Sequence, residues 1–435
     1  MQPKRSVRAV KSTIAAWRDE YLARRLVAEA KRFAAQPRRH RHALVLPAAG
    51  PGSLGDEAML VAAGDILSRF GIDKLTVVSY GPNEDWKTLG AFGAVVPFGQ
   101  RYQTDFWTTC RELITYFRDA THFLVLGADV MDGYYNPYEA VRRVIYTRIA
   151  AAAGLQTAIG SFSFNDSPHP RSVAALKSLD PATALIARDP VSQRRLQHRI
   201  AHHVALGADI AFLLQPAAAT PVVAALQTWL TTARREGRQI VGINANYLVA
   251  PDHRREDRGE EMVAAYAAGL TEFLRSRRDV CLVLIPHDYR RMAGRYDDLQ
   301  LLRMIAGRLP GEFTPQVRLI DQPLRAAEAK AIAAELDLVV SGRMHLAIAA
   351  LGAGVPAAGI TYQGKFEGLW VHFGLTGASL DPERLFSPGA LASFLRDCTN
   401  QCSSWRATIR EQNPRIRDLA LVNLNQLCQG IRNKR

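Results

Sequence analysis

Long apolar runs are missing from this sequence of 435 residues, and none reaches the roughly 18 residues that a membrane-spanning helix needs. The N-terminus is cationic but has no apolar segment like that of a secretory signal, so we expect a cytoplasmic protein. Cysteine is scarce as well, and the cysteines form no CxxC pair: Cys110, Cys281, Cys398, Cys402 and Cys428. We therefore expect reduced thiols and no metal site.

A dinucleotide-binding fingerprint is also missing. Residues 48–58, AAGPGSLGDEA, form a glycine-rich turn before a predicted helix, but the GxGxxG spacing is absent. Asp56 and Glu57 fall in the first turn of that helix, where two carboxylates satisfy the helix dipole and would repel a pyrophosphate. Acids in this place suit hydrogen bonding to sugar hydroxyls, or removal of a proton from an attacking hydroxyl. Simple capping of the helix by Asp56 is an equally good interpretation.

Positive charge is concentrated at one end of the chain. The formal net charge is +14, and residues 1–42 carry twelve lysines and arginines against three acids. Apolar residues recur in this arm at helical spacing, from Ile14 to Phe33. The pattern predicts a basic helical arm that lies on the inner face of an anionic membrane as a peripheral contact, or that docks by its apolar side on a neighbouring lobe or subunit. The arm has no base-reading motif, so nucleic acid is not an expected partner.

After the arm, short apolar runs alternate with helix-length segments, which is the α/β pattern. Strands are predicted in two series, separated by Pro216–Thr220 and a helix near residues 222–235. The first series is Ala43–Pro47, Leu75–Ser79, Ala94–Pro97, His122–Gly127, Thr157–Gly160 and Leu185–Arg188. The second is Ile240–Asn244, Cys281–Pro286, Val317–Ile320, Leu338–Val340 and Ala358–Thr361.

This alternation predicts two Rossmann-like lobes whose parallel sheets face a cleft, the layout of the GT-B class of glycosyltransferases. The predicted division is the arm, an N-terminal lobe on the acceptor side, a linker with one helix, a C-terminal lobe on the donor side, and C-terminal helices. The corresponding ranges are 1–42, 43–215, 216–238, 239–387 and 388–435.

The segment at residues 336–362, LDLVVSGRMHLAIAALGAGVPAAGITY, carries the strongest functional signal. It predicts a buried strand, a turn at Ser341 and Gly342, and a helix that begins at about His345. Arg343, Met344 and His345 then lie at the carboxyl edge of a parallel sheet, where open α/β sheets bind ligands.

A guanidinium and an imidazole beside the unpaired N–H groups of a helix N-terminus make a site for a small, multiply charged anion. The alternative is that Arg343 pairs with a neighbouring acid and His345 only begins the helix.

Other candidate side chains also follow predicted strands. Asp129 follows residues 122–127 and could orient a polar ligand or cap a helix. Arg188 is a second cation at a strand end, unless Asp189 or Asp209 holds it as a structural pair. His287 in the IPHD segment suits a ligand or acid/base role, or is a satisfied turn residue. Lys365 would add positive charge if it does not simply lie in solvent.

Six segments, taken in order, resemble the polysaccharide pyruvyl transferase family over roughly residues 43–375. They are GSLGDEA (52–58), GADVMDG (127–133), ARDPVS (187–192), LGADIAFLL (206–214), IPHD (285–288) and SGRMHLAIAALGAGVP…YQGK (341–365). Two positions depart from the family pattern, which often has Leu where Met344 stands and Asn where Ser53 stands.

The resemblance implies a GT-B-like fold and phosphoenolpyruvate as donor, with a pyruvate ketal placed across two hydroxyls of a sugar. The sugar would belong to a surface polysaccharide or its lipid-linked precursor. Phosphoenolpyruvate carries a carboxylate and a phosphate, so we expect Arg343 and Arg188 to hold them. His345 would protonate the enol carbon.

Asp56 or Glu57 would orient or deprotonate the acceptor. Further substrate contacts are expected at the remaining candidates named above: Ser341, Gly342, Met344, His287, Lys365 and Asp129. No cofactor is expected besides phosphoenolpyruvate as co-substrate.

Two other functions fit the same residues. A GT-B glycosyltransferase that uses a nucleotide-sugar would also need cations at this helix N-terminus, in its case for a diphosphate. A non-catalytic assembly protein would use the basic arm to stay at a membrane.

Overall fold

The computed structural model describes residues 20–80, 86, 94–98, 106–249, 258–290, 295–361, 364 and 366–429. These residues form two parallel β-sheets with helices on their faces. The predicted α/β architecture of two Rossmann-like lobes is confirmed.

The first sheet has seven parallel strands in the spatial order β3-β2-β1-β4-β5-β6-β7. Its strands β1 and β4 are buried along their whole length, because helices cover both faces of the sheet. The bounds are β1 (His42–Leu46), β2 (Lys74–Tyr80), β3 (Ala94–Phe98), β4 (His122–Ala128), β5 (Gln156–Phe162), β6 (Ala184–Ala187) and β7 (Val204–Leu206).

The second sheet has six parallel strands in the order β10-β9-β8-β11-β12-β13. The bounds are β8 (Gln239–Asn244), β9 (Val280–Leu284), β10 (Val317–Leu319), β11 (Leu338–Ser341), β12 (Ala357–Ile360) and β13 (Ser379–Leu380). In each sheet the strand order reverses at one point, between β1 and β4 in the first and between β8 and β11 in the second. Such switch points open a crevice at the carboxyl ends of the strands.

Helices connect the strands and cover the sheets. In the first half they span Leu54–Arg69, Phe106–Asp119, Pro137–Ala152, Pro170–Leu176, Pro190–Gln197 and Pro221–Arg235. In the second half they span Arg258–Ser276, Asp298–Arg308, Ala326–Ala334, Met344–Gly352, Glu367–Phe373, Pro382–Leu385 and Ala390–Leu427. Short 3-10 helices lie at Lys31–Phe33, Ile210–Leu213, Tyr247–Val249 and Gly311–Gln316.

The 38-residue helix Ala390–Leu427 contacts both lobes. Near its end, Asn423 accepts the N–H of Ser161 in the N-terminal lobe at 2.8 Å. Further back, Asn413 donates to the carbonyl of Leu351 in the C-terminal lobe, also at 2.8 Å. This helix therefore contacts both lobes and connects them. The domain boundaries expected from the sequence stay a prediction.

The arm contributes a helix over residues 20–30. Its side chains Ala23, Leu26 and Ala30 are buried against the N-terminal lobe. Glu20 forms an ion pair with Arg148 of that lobe at 2.9 Å. This part of the arm thus docks by its apolar side on a neighbouring lobe. Within the described ranges, no helix is both long and apolar enough to cross a bilayer.

Candidate functional site

The turn that ends β11 is held in a fixed shape by hydrogen bonds. Ser341 Oγ accepts the N–H of Arg343 at 2.9 Å and donates to the carbonyl oxygen of Arg343 at 2.8 Å. Asn246, which follows β8, donates to the carbonyl of Gly342 at 2.9 Å. A Cβ at position 342 would lie only 2.7 Å from the Cβ of Asn246, so the turn needs glycine there. The half-buried Met344 then begins the helix Met344–Gly352.

The guanidinium of Arg343 is held by two buried carboxylates. Its Nη2 lies 2.7 Å and its Nε 3.1 Å from Oδ1 of Asp298, while its Nη1 lies 3.0 Å from Oδ2 of Asp288. Burial raises the pKa of Asp298, and the charge of Arg343 acts in the opposite direction. The pairing of Arg343 with neighbouring acids, which was the alternative to an anion site, is therefore present. Contact between Arg343 and a donor anion stays a prediction.

A second arginine, Arg290, shares one of these carboxylates. Its Nε lies 2.9 Å from Oδ1 of Asp288, and its Nη2 lies 2.6 Å from Oδ2. The two guanidinium groups hold the pKa of Asp288 below its ordinary value, against the effect of burial. Arg290 also acts electrostatically on Asp56 and Asp129.

His345 and Arg188 meet at a common carboxylate. Asp209 Oδ2 lies 3.4 Å from Nε2 of His345 and 3.3 Å from Nη1 of Arg188. Arg188 is also bound through Nη2 to Ser163 Oγ at 2.9 Å. Burial of Asp209 is outweighed by the nearby His345 and Arg188, so the pKa of its carboxyl is lowered. The structural pair of Arg188 and Asp209 that was the alternative interpretation thus exists, and the same carboxylate lies between Arg188 and His345.

The other side of the His345 ring packs against the first turn of the helix Leu54–Arg69, which follows β1. A Cβ on Gly55 would lie 2.2 Å from Nδ1 of His345. The GSLGDEA and SGRMH segments, which follow strands at the two switch points, therefore meet across the cleft. The IPHD segment joins them, because Leu54 donates to the carbonyl of His287 at 3.2 Å.

Asp56 is buried at this junction. Its Oδ1 has no hydrogen-bond partner among the described residues. Burial raises the pKa of the carboxyl, although the positive charge of Arg290 and His345 acts in the opposite direction. A carboxyl of this kind exchanges a proton nearer to neutrality than an exposed one.

Glu57 points elsewhere, although it is the next residue in the sequence. Its Oε1 accepts the N–H of Ala326 at 2.8 Å, and its Oε2 lies 3.6 Å from Arg325 Nη1. It therefore caps the helix Ala326–Ala334 of the opposite lobe. Its catalytic role stays a prediction.

The imidazole of His287 is buried beside the site. Burial, together with the neighbouring His345 and Arg343, lowers the pKa of His287 to about 3, so the ring is neutral at physiological pH. Asp129, which follows β4, lines a cavity next to these groups. Lys365 lies outside the described residues.

Four charged residues of the site were not among the candidates. Asp209 and Asp288 lie in segments that carry the family resemblance, LGADIAFLL and IPHD, so a signal for them was present. Asp298 begins a helix directly after its cap, Asp297, and nothing in the local sequence distinguishes the two. Arg290 has no sequence signal either. Within the described residues, no group of three His, Cys, Asp or Glu side chains could hold a metal ion.

Two parallel sheets with facing switch points define a GT-B-like, two-lobed protein. Solved structures of this kind include a glycosyltransferase from Rickettsia africae, with a TM-score of 0.55, 11% identity, and coverage of 91% of this chain and 100% of that one. UDP-GlcNAc 2-epimerase from Neisseria meningitidis bound to UDP-GlcNAc gives 0.53 at 11% identity, with 89% and 100% covered. The S. aureus MnaA–UDP structure gives 0.58 at 10% identity, with 90% and 97% covered. These likenesses concern the fold alone.

The family is identified by comparison of the sequence with family models. The family model for polysaccharide pyruvyl transferase matches residues 54–364. The chain therefore belongs to the polysaccharide pyruvyl transferase family, as its six segments predicted. A comparison with curated protein sequences gives no match.

Proposed function

We propose that this protein transfers the enolpyruvyl group of phosphoenolpyruvate onto two hydroxyls of a sugar, forming a pyruvate ketal and releasing phosphate. The observation that carries the proposal is the position of the Asp209 carboxylate, which lies within 3.4 Å of both His345 and Arg188 at the edge of the cleft. A proton donor and a cation are thereby fixed side by side. The sugar would belong to a surface polysaccharide or its precursor, in keeping with the family.

The charges of the site suit a donor with two anionic groups. Arg343 and Arg188 are each anchored by a buried carboxylate, so their guanidinium groups have fixed orientations before a ligand arrives. A fixed guanidinium binds a carboxylate or phosphate at a lower entropic cost than a mobile lysine does. The N–H groups at the start of the helix Met344–Gly352 add partial positive charge.

The reaction would begin with a proton transfer from the His345 imidazolium to the methylene carbon of the donor. The carbon that bears the phosphate then becomes oxocarbenium-like, and a sugar hydroxyl attacks it. Phosphate leaves, and the second hydroxyl closes the ketal. Of the two hydroxyl protons, one restores the imidazolium and the other leaves with phosphate. The carboxylate of Asp209 lies 3.4 Å from Nε2 of this ring.

Asp56 is the better of the two acids for accepting the hydroxyl proton that then leaves with phosphate. Its buried oxygen is without a hydrogen-bond partner among the described residues, and its raised pKa makes it a stronger base than an exposed carboxylate. The carboxylate of Glu57 already accepts a hydrogen bond from the backbone N–H of Ala326.

The second candidate is a GT-B glycosyltransferase, favoured by the fold neighbours solved with UDP or UDP-GlcNAc. The two functions differ in the donor that is consumed. The protein should be incubated with phosphoenolpyruvate and, in parallel, with UDP-sugars, each with a panel of saccharide acceptors.

We expect phosphate release from phosphoenolpyruvate and an acceptor whose mass increases by one pyruvic acid less one water. His345→Gln should abolish both. Glycosyl transfer from a UDP-sugar without phosphate release would instead establish the glycosyltransferase. Loss of function on removal of residues 1–42, with His345→Gln silent, would support the assembly protein.

A further inference from the structure

A cavity opens beside the site, at the carboxyl ends of β4 and β5. Side chains that follow these two strands line it on one side, and Gly364 and Gly368 of the C-terminal lobe close it on the other. It adjoins the reaction site at two points. Ser163 lines the cavity and is hydrogen-bonded to Arg188, and Asp129 lines it and acts electrostatically on Asp56.

Two adjacent tyrosines form the outer wall of this cavity. Tyr134 and Tyr135 are 53% and 48% exposed, and their rings stand at 86° with centroids 5.3 Å apart. Aromatic rings usually bury most of their surface, so a pair of half-exposed rings at the rim of a cavity indicates a binding surface.

The inner wall is polar and held in place by one buried carboxylate. Asp132 accepts the N–H of Tyr134 at 2.9 Å and the side-chain amide of Asn165 at 2.8 Å. The amide oxygen of Asn165 is buried and has no hydrogen-bond partner among the described residues. It is therefore an acceptor still to be satisfied by a ligand hydroxyl or water.

The backbone at this edge is strained. Ala128 at the end of β4 has φ 41°, and Ser161 near the end of β5 has φ 57°, values that non-glycine residues seldom adopt. Ser161 is held there by Asn423 and by the N–H of Ile210, which it accepts at 2.7 Å. Strain that is maintained by surrounding contacts is typical of functional sites.

We propose that Tyr134 and Tyr135, at the rim of this cavity, bind the pyranose ring of the acceptor sugar while one of its hydroxyls reaches into the cavity, an inference that rests on the proposed function. A pyranose combines apolar C–H faces, which suit aromatic rings, with hydroxyls that donate to carboxylates and amide oxygens. Three carboxylates line the cavity against one guanidinium (Asp129, Asp132 and Asp189 against Arg195), which disfavours an anionic ligand. The donor then binds at Arg343 and Arg188, and the neutral sugar binds on the tyrosine side.

The test uses methyl glycosides of glucose, galactose, mannose and N-acetylglucosamine as probes of the whole chain. Saturation-transfer NMR measures their binding in the presence of phosphoenolpyruvate, and calorimetry measures phosphoenolpyruvate separately. Tyr134→Ala, Tyr135→Ala and the double variant remove the aromatic wall. Tyr116→Ala, on the half-exposed face of the helix Phe106–Asp119, is the matched control.

We expect at least one glycoside to bind the wild type and the control, and to bind the double variant roughly fivefold or more weakly. Affinity for phosphoenolpyruvate should be unchanged in all of them. Equal glycoside binding by the wild type and the double variant would overturn the inference, and so would a wild type that binds none of the probes. Failure of phosphoenolpyruvate to bind the wild type would count against the proposed function instead.

Discussion

The imidazole of His345 lies directly on the backbone of Gly55, so closely that a Cβ at residue 55 would be 2.2 Å from Nδ1. Gly55 follows β1 in one sheet, and His345 follows β11 in the other. The position of the histidine in the cleft therefore depends on the absence of a side chain in the opposite lobe.

Replacing Gly55 with alanine should displace the His345 ring and lower kcat by about a hundredfold, because small errors in the position of a catalytic group have effects of that size. The affinity for phosphoenolpyruvate should change much less. Gly50→Ala is the matched control, since a Cβ there meets nothing within 4 Å. Equal kcat values for the two variants would contradict the account of the His345 contact.

The shared carboxylate of Asp209 should make His345 and Arg188 act as one unit. Asp209→Asn removes the negative charge beside the His345 ring, and we expect kcat to fall on the order of a hundredfold. A double-mutant cycle with His345→Gln measures the coupling. The double variant should be no slower than the worse single variant. Additive losses would show that Asp209 acts independently of the histidine.

Asp56 should lower the stability of the protein at neutral pH. Burial raises the pKa of its carboxyl in the folded state. Between the ordinary pKa and this raised pKa, the folded protein keeps a proton that the unfolded chain has released. Stability is therefore lost as the pH rises above the ordinary value of 3.8. Asp56→Asn should raise the free energy of unfolding at pH 7, with a difference that shrinks as the pH falls toward the ordinary value of 3.8.

Urea unfolding at the two pH values measures this difference. The same variant should have reduced kcat if Asp56 accepts the hydroxyl proton. A variant that is less stable than the wild type at pH 7 would show that the buried carboxylate is compensated by partners other than those described.

Glu57 provides a test of whether a buried acid in this turn is catalytic or structural. Glu57→Gln keeps an oxygen that can accept the N–H of Ala326, so we expect stability and kcat to stay near the wild-type values. Glu57→Ala leaves that N–H without its partner and should cost about 1 kcal/mol of stability. A stable but inactive Glu57→Gln protein would restore the catalytic assignment.

The sequence patterns predict most of the fold because each buried strand is a short apolar run between turns. Two strands at the outer edges, Val204–Leu206 and Ser379–Leu380, are too short to give such a pattern and were not predicted. The turn at Ser341 and Gly342 was placed correctly, and the helix predicted from about His345 begins at Met344, because strand, turn and helix signals follow one another within a few residues.

Asp209 was named from the sequence as a possible partner of Arg188, but the partners of Arg343 could not be predicted in the same way. Arg343 and Asp298 are 45 residues apart in the chain, and their pairing depends on the order of strands in the second sheet. Periodicity within one segment carries no information about that order. The contact between Gly55 and His345 likewise requires the relative position of two lobes, which the motifs suggested only through the family resemblance.

The most direct test of the central claim is thermal stabilisation by phosphoenolpyruvate, with UDP-GlcNAc and UDP-glucose in parallel. The control is the double variant Arg343→Gln, Asp298→Asn, which removes both charges of one ion pair, while Asp288, the second carboxylate at Arg343, keeps its ion pair with Arg290. At 100 times its dissociation constant a ligand adds about 2.7 kcal/mol to stability. We predict that phosphoenolpyruvate alone stabilises the wild type and that the double variant does not respond. Stabilisation by a UDP-sugar alone, or an undiminished response of the double variant to phosphoenolpyruvate, would contradict the account.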